Sequence, residues 1–138
     1  SRRYDASGNA VEIAGKDGTP VSFLWSYNNC FPIARIENAT IDEVCAALEI
    51  ESADEWTYDS VPDSDVRVRI GSLRELLPDA RVTTYEYVSL HGVTAITDPN
   101  GVTTRFDYDN YSRLTGSYYL DANARKVMLQ KYVYHFGK

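Results

Sequence analysis

Two periodicities alternate along this chain. Val21, Phe23, Trp25 and Tyr27 occupy every second position and are separated by Ser22, Leu24, Ser26 and Asn28; Val102, Thr104, Phe106 and Tyr108 alternate in the same way with Thr103, Arg105, Asp107 and Asp109. Side chains on a strand point to opposite faces in turn, so each segment predicts a strand with one aromatic, buried face and one largely polar face, as in an antiparallel sheet wet on one side. Further strands are expected at Pro32 to Glu37, Ala80 to Tyr87, Gly92 to Thr97, Leu114 to Leu120 and Lys126 to Phe136. Asp17-Gly18 and Asn100-Gly101 suit primed hairpin turns that need positive φ, and Asp5 to Gly8 supplies another turn.

The middle of the chain changes period. Thr40 and Glu43 have the spacing of a capping box ahead of Ile41, Val44, Cys45 and Leu48, which predicts a helix over Ile41 to Glu49. A second helix is expected from about Asp63 to Leu77, with Val66, Ile70, Leu73 and Leu77 on one side and Pro78 ending it. Val66 to Ile70 also alternates as a strand would, but Leu73-Arg74-Glu75-Leu76-Leu77 favours the helix. The fold class is therefore α+β, mainly antiparallel β: a hairpin strip carrying a two-helix insert at about 40–79, with the insert's apolar stripe laid over one sheet face. Residues 1–138 are read as a single domain.

A phrase recurs with this rhythm. Tyr4-Asp5-Ala6-Ser7-Gly8-Asn9 is echoed by Tyr108-Asp109-Asn110-Tyr111-Ser112-Arg113-Leu114. The turns at Asp17-Gly18 and at Asp98 to Gly101 each lead into a strand that ends in Tyr-Asn or Tyr-Asp. Tyr4 to Tyr27 spans 23 residues and Tyr87 to Tyr108 spans 21, a period at which repeats mean stacked supersecondary units. On these residues the chain resembles the YD repeat of the RHS family of bacterial surface and secreted proteins. Thr97 to Leu114 is the longest match, and Glu37 to about Arg81 lies outside it. The helical stretch followed by Thr83-Thr84-Tyr85-Glu86-Tyr87 is similar to RHS-like proteins of Bacteroides-type bacteria in particular.

The resemblance implies a structural role: a β-strip that folds around or displays a cargo, with Tyr4, Asp5, Gly8, Gly18, Asp98, Gly101, Tyr108, Asp109, Arg113 and Leu114 as its structural positions. It implies an extracellular or cell-surface location and, as partners, other repeats of a parent chain or its cargo. Ser112 stands where the pattern has Gly, and Tyr134-His135 where another Tyr-Asp is expected. Some RHS proteins self-cleave at an Asp-Pro-x-Gly string. Here Asp98-Pro99-Asn100-Gly101 runs into another strand and is read as a turn.

Composition narrows the alternatives. The net charge of −6 is uneven, with 10 acidic residues and no Lys or Arg from Glu37 to Asp65, against 14 basic and 10 acidic residues elsewhere. A pI near 4.8 argues against nucleic acid as a partner. No apolar run approaches the ~20 residues of a membrane span. Cys30 and Cys45 are read as two buried free thiols in preference to a disulfide, which would suit a secreted protein but is not required by this spacing.

His91 and His135 have no Cys or His at metal-ligand spacing, and Asp107-Tyr108-Asp109-Asn110 lacks the acidic residue that closes a calcium loop, so no metal or cofactor is expected. No Ser sits in a Gly-flanked elbow and neither Cys neighbours a His, which gives no catalytic residue and a non-enzymatic reading. Asn38-Ala39-Thr40 matches a glycosylation sequon, but Thr40 is better used as a helix cap. The competing function is a carbohydrate-binding module using exposed aromatics, with Trp25, Trp56 and Tyr58 as the contacts. Because the chain begins within a repeat, it is expected to be part of something larger and to pair with a second copy through exposed strand edges.

Overall fold

A computed structural model describes residues 2–27, 30–56, 64–88, 92–121, 123 and 125–131. Among the described residues nine strands run in chain order: β1 (Arg3–Tyr4), β2 (Ala10–Ala14), β3 (Pro20–Ser26), β4 (Phe31–Glu37), β5 (Arg81–Val88), β6 (Gly92–Thr97), β7 (Thr103–Tyr108), β8 (Leu114–Leu120) and β9 (Lys126–Lys131). Between β4 and β5 lie α1 (Ile41–Leu48), a 3-10 turn (Ala53–Trp56), α2 (Ser64–Gly71) and α3 (Leu73–Leu76). The fold is thus mostly antiparallel β with a helical insert, as the residue pattern implies. The chain, read from sequence as one domain, divides into two compact units, Ser1–Thr84 and Tyr85–Lys138, with the division inside β5.

In the first unit, β1 to β4 and the start of β5 pair antiparallel in sequence order. Leu24 stands opposite Ala34, Ser22 opposite Ile36, and Ile36 opposite Val82, so these residues share one sheet face. That face is the floor of the core. Leu24, Ile36 and Val82 are fully buried with Val44 of α1 and Leu73 of α3, and Ile33, Ile41, Leu48 and Ile70 complete the cluster.

This reverses the expected facing of β3. Ser22, Leu24 and Ser26, placed by their polarity on the wet face, have no exposed area, while Phe23 and Trp25 are only half-buried. Small side chains let the insert approach the sheet closely. The Ser22 hydroxyl donates to the Ala39 carbonyl at 2.7 Å, which removes the cost of burying it. A bulge also intervenes: Leu24 pairs with Ala34 but Trp25 with Pro32, leaving Ile33 as the extra residue, and Ile33 and Ala34 are buried side by side.

The α1 cap forms as the Thr40–Glu43 spacing requires. Glu43 N–H donates to Thr40 Oγ1 at 3.1 Å, and Thr40 N–H donates to Glu43 Oε1 at 2.9 Å. The Ile41 N–H, one of the helix's unpartnered first-turn donors, is taken by Glu12 Oε1 of β2 at 2.9 Å, which ties the helix start to the sheet. The helix closes at Glu49 in the left-handed region, with Ile50 N–H donating to the Cys45 carbonyl at 3.0 Å.

The second expected helix is present but broken at Ser72, giving α2 and α3. Ile70 and Leu73 are buried and Val66 and Leu77 pack partly against the core, whereas Val68 is 72% exposed. A strand would have put Val68 on the same face as Val66 and Ile70, so helical spacing prevails.

The second unit is built differently. β6, β7, β8 and β9 pair antiparallel in order, and among its described residues only Ala95, Gly116 and Ser117 are buried. A Cβ on Gly116 would meet the Gln130 carbonyl at 2.9 Å, so glycine is what lets β9 lie this close.

Leu24→Ala should cost about 2–5 kcal/mol of unfolding free energy because it opens a cavity beneath the insert. Urea denaturation checks this; a change of about 0.5 kcal/mol or less would return Leu24 to the wet face.

Candidate functional site

The residues singled out from the repeated phrase converge on one local structure. At Asp5, Asp98, Asp109 and Asp121 the aspartate N–H donates to the carbonyl four residues on, each at 2.9 Å. Oδ1 of the same aspartate accepts the N–H groups two and four residues on. These are Ser7 and Asn9, Asn100 and Val102, Tyr111 and Arg113, and Asn123 and Arg125, all between 2.8 and 3.0 Å. One carboxylate oxygen therefore holds each of these four turns closed.

The residue after the turn has positive φ: Gly8 at 89°, Gly101 at 84° and Ser112 at 61°. Neither Asp17 nor Asn100 has positive φ, so the expected primed turns do not form. The observed geometry, an i to i+3 bond followed by one left-handed residue, is that of a type I turn closed by a bulge. The carboxylate selects it by drawing two N–H groups to one point, and Pro99 presets φ for its first central position.

The Asp17-Gly18 turn is the same structure with Gly15 in the aspartate's place. Gly15 N–H donates to the Thr19 carbonyl at 2.6 Å, Gly18 N–H donates to the Gly15 carbonyl at 3.0 Å, and Gly18 has φ of 78°. A Cβ at Gly15 would stand 3.0 Å from the Thr19 carbonyl. Asp121 was not singled out in the sequence. Its signal was spacing, since Asp98, Asp109 and Asp121 recur at intervals of 11 and 12 residues.

The Asp109 turn carries the most chemistry. Its second oxygen accepts Arg113 Nε at 2.9 Å and pairs with the Arg113 guanidinium at 2.9 Å, and that guanidinium lies 5.1 Å from the Tyr111 ring centre. Burial alone would raise the Asp109 carboxyl, but the N–H groups of Arg113 and Tyr111 and the Arg113 charge outweigh it and hold it below the usual carboxylate range. Tyr108, the preceding residue, donates its hydroxyl to the Val93 carbonyl at 2.5 Å, and burial raises its pKa. Leu114 opens β8 opposite Tyr108. In the first unit Tyr4 is 56% exposed instead.

The remaining candidates are dispersed. Trp25 is half-buried against the core and its indole N–H donates to the Ala10 carbonyl at 2.8 Å, which makes it part of the sheet. Trp56 ends the 3-10 turn, and its side chain, like Tyr58, His91 and His135, lies outside the described residues. Cys45 is buried as expected, but Cys30 is exposed because it stands in the β3–β4 turn; both are free thiols. In the string Asp107-Tyr108-Asp109-Asn110, read from sequence as no calcium loop, Asp107 pairs with Lys126 at 3.5 Å and Asp109 with Arg113, so both carboxylates have cationic partners. Asn38 donates to the Asp79 carbonyl at 3.2 Å. Among the described residues no group of acidic, His and Cys side chains is arranged to hold a metal ion, and no helix is long and apolar enough to cross a membrane.

Residues 89–124, about a quarter of the chain, match the family model of the RHS Repeat. The match runs from just before β6 through the Asp98 and Asp109 turns into the Asp121 turn. No curated protein matches the chain.

Two outcomes follow for the Asp109 turn. Ser112→Gly should stabilise the second unit by about 1 kcal/mol, since only glycine adopts positive φ without steric cost; a neutral or destabilising result in denaturant unfolding would contradict it. Because the folded pKa of Asp109 is depressed, its contribution should be fully present above the unfolded carboxylate pKa of about 4 and be lost as pH falls through the lower folded value. Carboxyl-carbon NMR titration reads this directly, and Asp109 should titrate at lower pH in the parent than in Arg113→Gln.

Proposed function

We propose that the chain is a non-enzymatic structural segment of a YD-repeat protein of the RHS type, forming part of a β-sheet scaffold or shell that is secreted or displayed at the cell surface. The observation that carries this reading is one carboxylate-clamped turn built at Asp5, Asp98, Asp109 and Asp121, three of them in succession within the second unit. The RHS Repeat match over residues 89–124 supports it from the sequence side. Successive identical turns fix hairpin length and let the same unit be added again, which is what an extended strip needs. The scarcity of buried residues in the second unit favours neighbours, either other repeats or cargo, as the surface that completes it.

A scaffold predicts exposure of the protein outside the cell and no glycan recognition of its own. An antibody against residues 103–131 should label intact source cells or detect the protein in the medium; labelling only after permeabilisation would refute the location. A glycan array should give no binding. Binding that Trp25→Ala abolishes while the melting temperature holds would replace the scaffold reading with a carbohydrate-binding one.

A further inference from the structure

The charge of the chain is segregated onto surfaces of opposite sign. In the insert, Asp42, Glu43, Glu49 and Glu51 are all exposed, and the span from Glu37 to Asp65 contains no Lys or Arg. Beside Glu49 an open groove of about 460 Å³ runs between α1 and α3, lined by Ala47, Leu48, Glu49, Arg69, Ser72 and Leu76. The Arg69 guanidinium donates to the Leu48 carbonyl, and Leu76 is half exposed. The groove therefore offers the apolar side chain of Leu76 beside Arg69, whose guanidinium is already engaged, with Glu49 at its rim.

β9 has the opposite character. Lys126 and Lys131 are exposed at its two ends and Arg125 just before it, with Met128 and Leu129 about half exposed between them. Ser117 pairs with Gln130 and Tyr118 with Met128, so Leu129 is the extra residue of a bulge, a feature that re-aims a side chain. Lys126 is partly engaged with Asp107 and with the Tyr118 ring at 4.2 Å. Arg125 and Lys131 have no ion pair among the described residues.

We propose that this basic, apolar strand docks on the acidic helical insert of a second copy of the chain. Met128 and Leu129 would enter the groove beside Leu76, and Arg125 and Lys131 would meet Glu49 and Glu51. Opposite charge on the two surfaces would drive this contact whether or not the chain is part of a scaffold. A single exposed ion pair is worth only about 0–1 kcal/mol, so several pairs together with apolar contact are needed, and the association should be weak and sensitive to salt.

Sedimentation velocity of the 138-residue chain at a concentration on the order of 100 µM tests it. At low salt the average mass should exceed the 15.6 kDa of one chain, and it should fall toward that value at high salt. Arg125→Glu/Lys131→Glu and Glu49→Lys/Glu51→Lys should each weaken self-association about tenfold or more, with unchanged circular dichroism. Mixing the two variants should restore association, because the acidified strand of one then faces the basic insert of the other. A strict monomer at low salt overturns the proposal. Association indifferent to salt and to both variants overturns it in favour of backbone pairing between strand edges, and a mixture that stays monomeric overturns the assigned pair of surfaces.

Discussion

One carboxylate oxygen facing two backbone N–H groups is the constraint on which the sheet depends. An antiparallel strip needs each chain reversal to occur at the same point, because a slip of one residue would turn every side chain to the other face. The aspartate supplies that point. It accepts from the second and fourth residues after it, which leaves the turn one way to close and puts the single left-handed position two residues before the next strand begins. The strands then differ in sequence while their register is set by the turns, and this is how β6, β7, β8 and β9 keep order with few buried residues between them.

The first unit obtains its order from a second source. Its helices cover one face of the sheet, and Leu24, Ile36, Val44, Leu73 and Val82 exclude water between the layers. Glu12 joins the two layers by accepting the Ile41 N–H while lying within 4.0 Å of Arg3. Here burial supplies the stabilisation and the turns mainly supply geometry. In the second unit the proportions are reversed. There the polar clamps at Asp98, Asp109 and Asp121 and the close approach at Gly116 contribute most of what the described residues show.

That difference explains what could be read from the residues alone. Strand positions were legible because alternation survives whichever face is buried, and α1 was legible because Thr40 and Glu43 form a local device that needs no knowledge of tertiary packing. The facing of β3 was not, since burial of Ser22 and Ser26 depends on a helix that arrives from elsewhere in the chain and on the Ala39 carbonyl that receives the Ser22 hydroxyl. The break at Ser72 escaped for a related reason, because the apolar spacing continues across it and Ile70 and Leu73 remain buried. In the candidate site, Asp5, Asp98 and Asp109 were found through the tyrosine, glycine or proline beside them. Asp121 has leucine before it and alanine after it, so its role showed only in its spacing and its hydrogen bonds.

Two departures from the turn pattern among the described residues show which of its positions carries the geometry. Gly15 has no carboxylate, yet the turn it begins keeps both backbone bonds and the positive φ at Gly18. Ser112 lacks glycine's freedom, yet it is held at positive φ where Asp109 accepts two N–H groups and grips Arg113 as well. A missing clamp is thus accompanied by a permissive residue at each end, and a strained closing residue by a clamp whose second oxygen also pairs with an arginine. The reversal therefore survives the loss of either contribution where the other is present, which allows the motif to vary from unit to unit without loss of register.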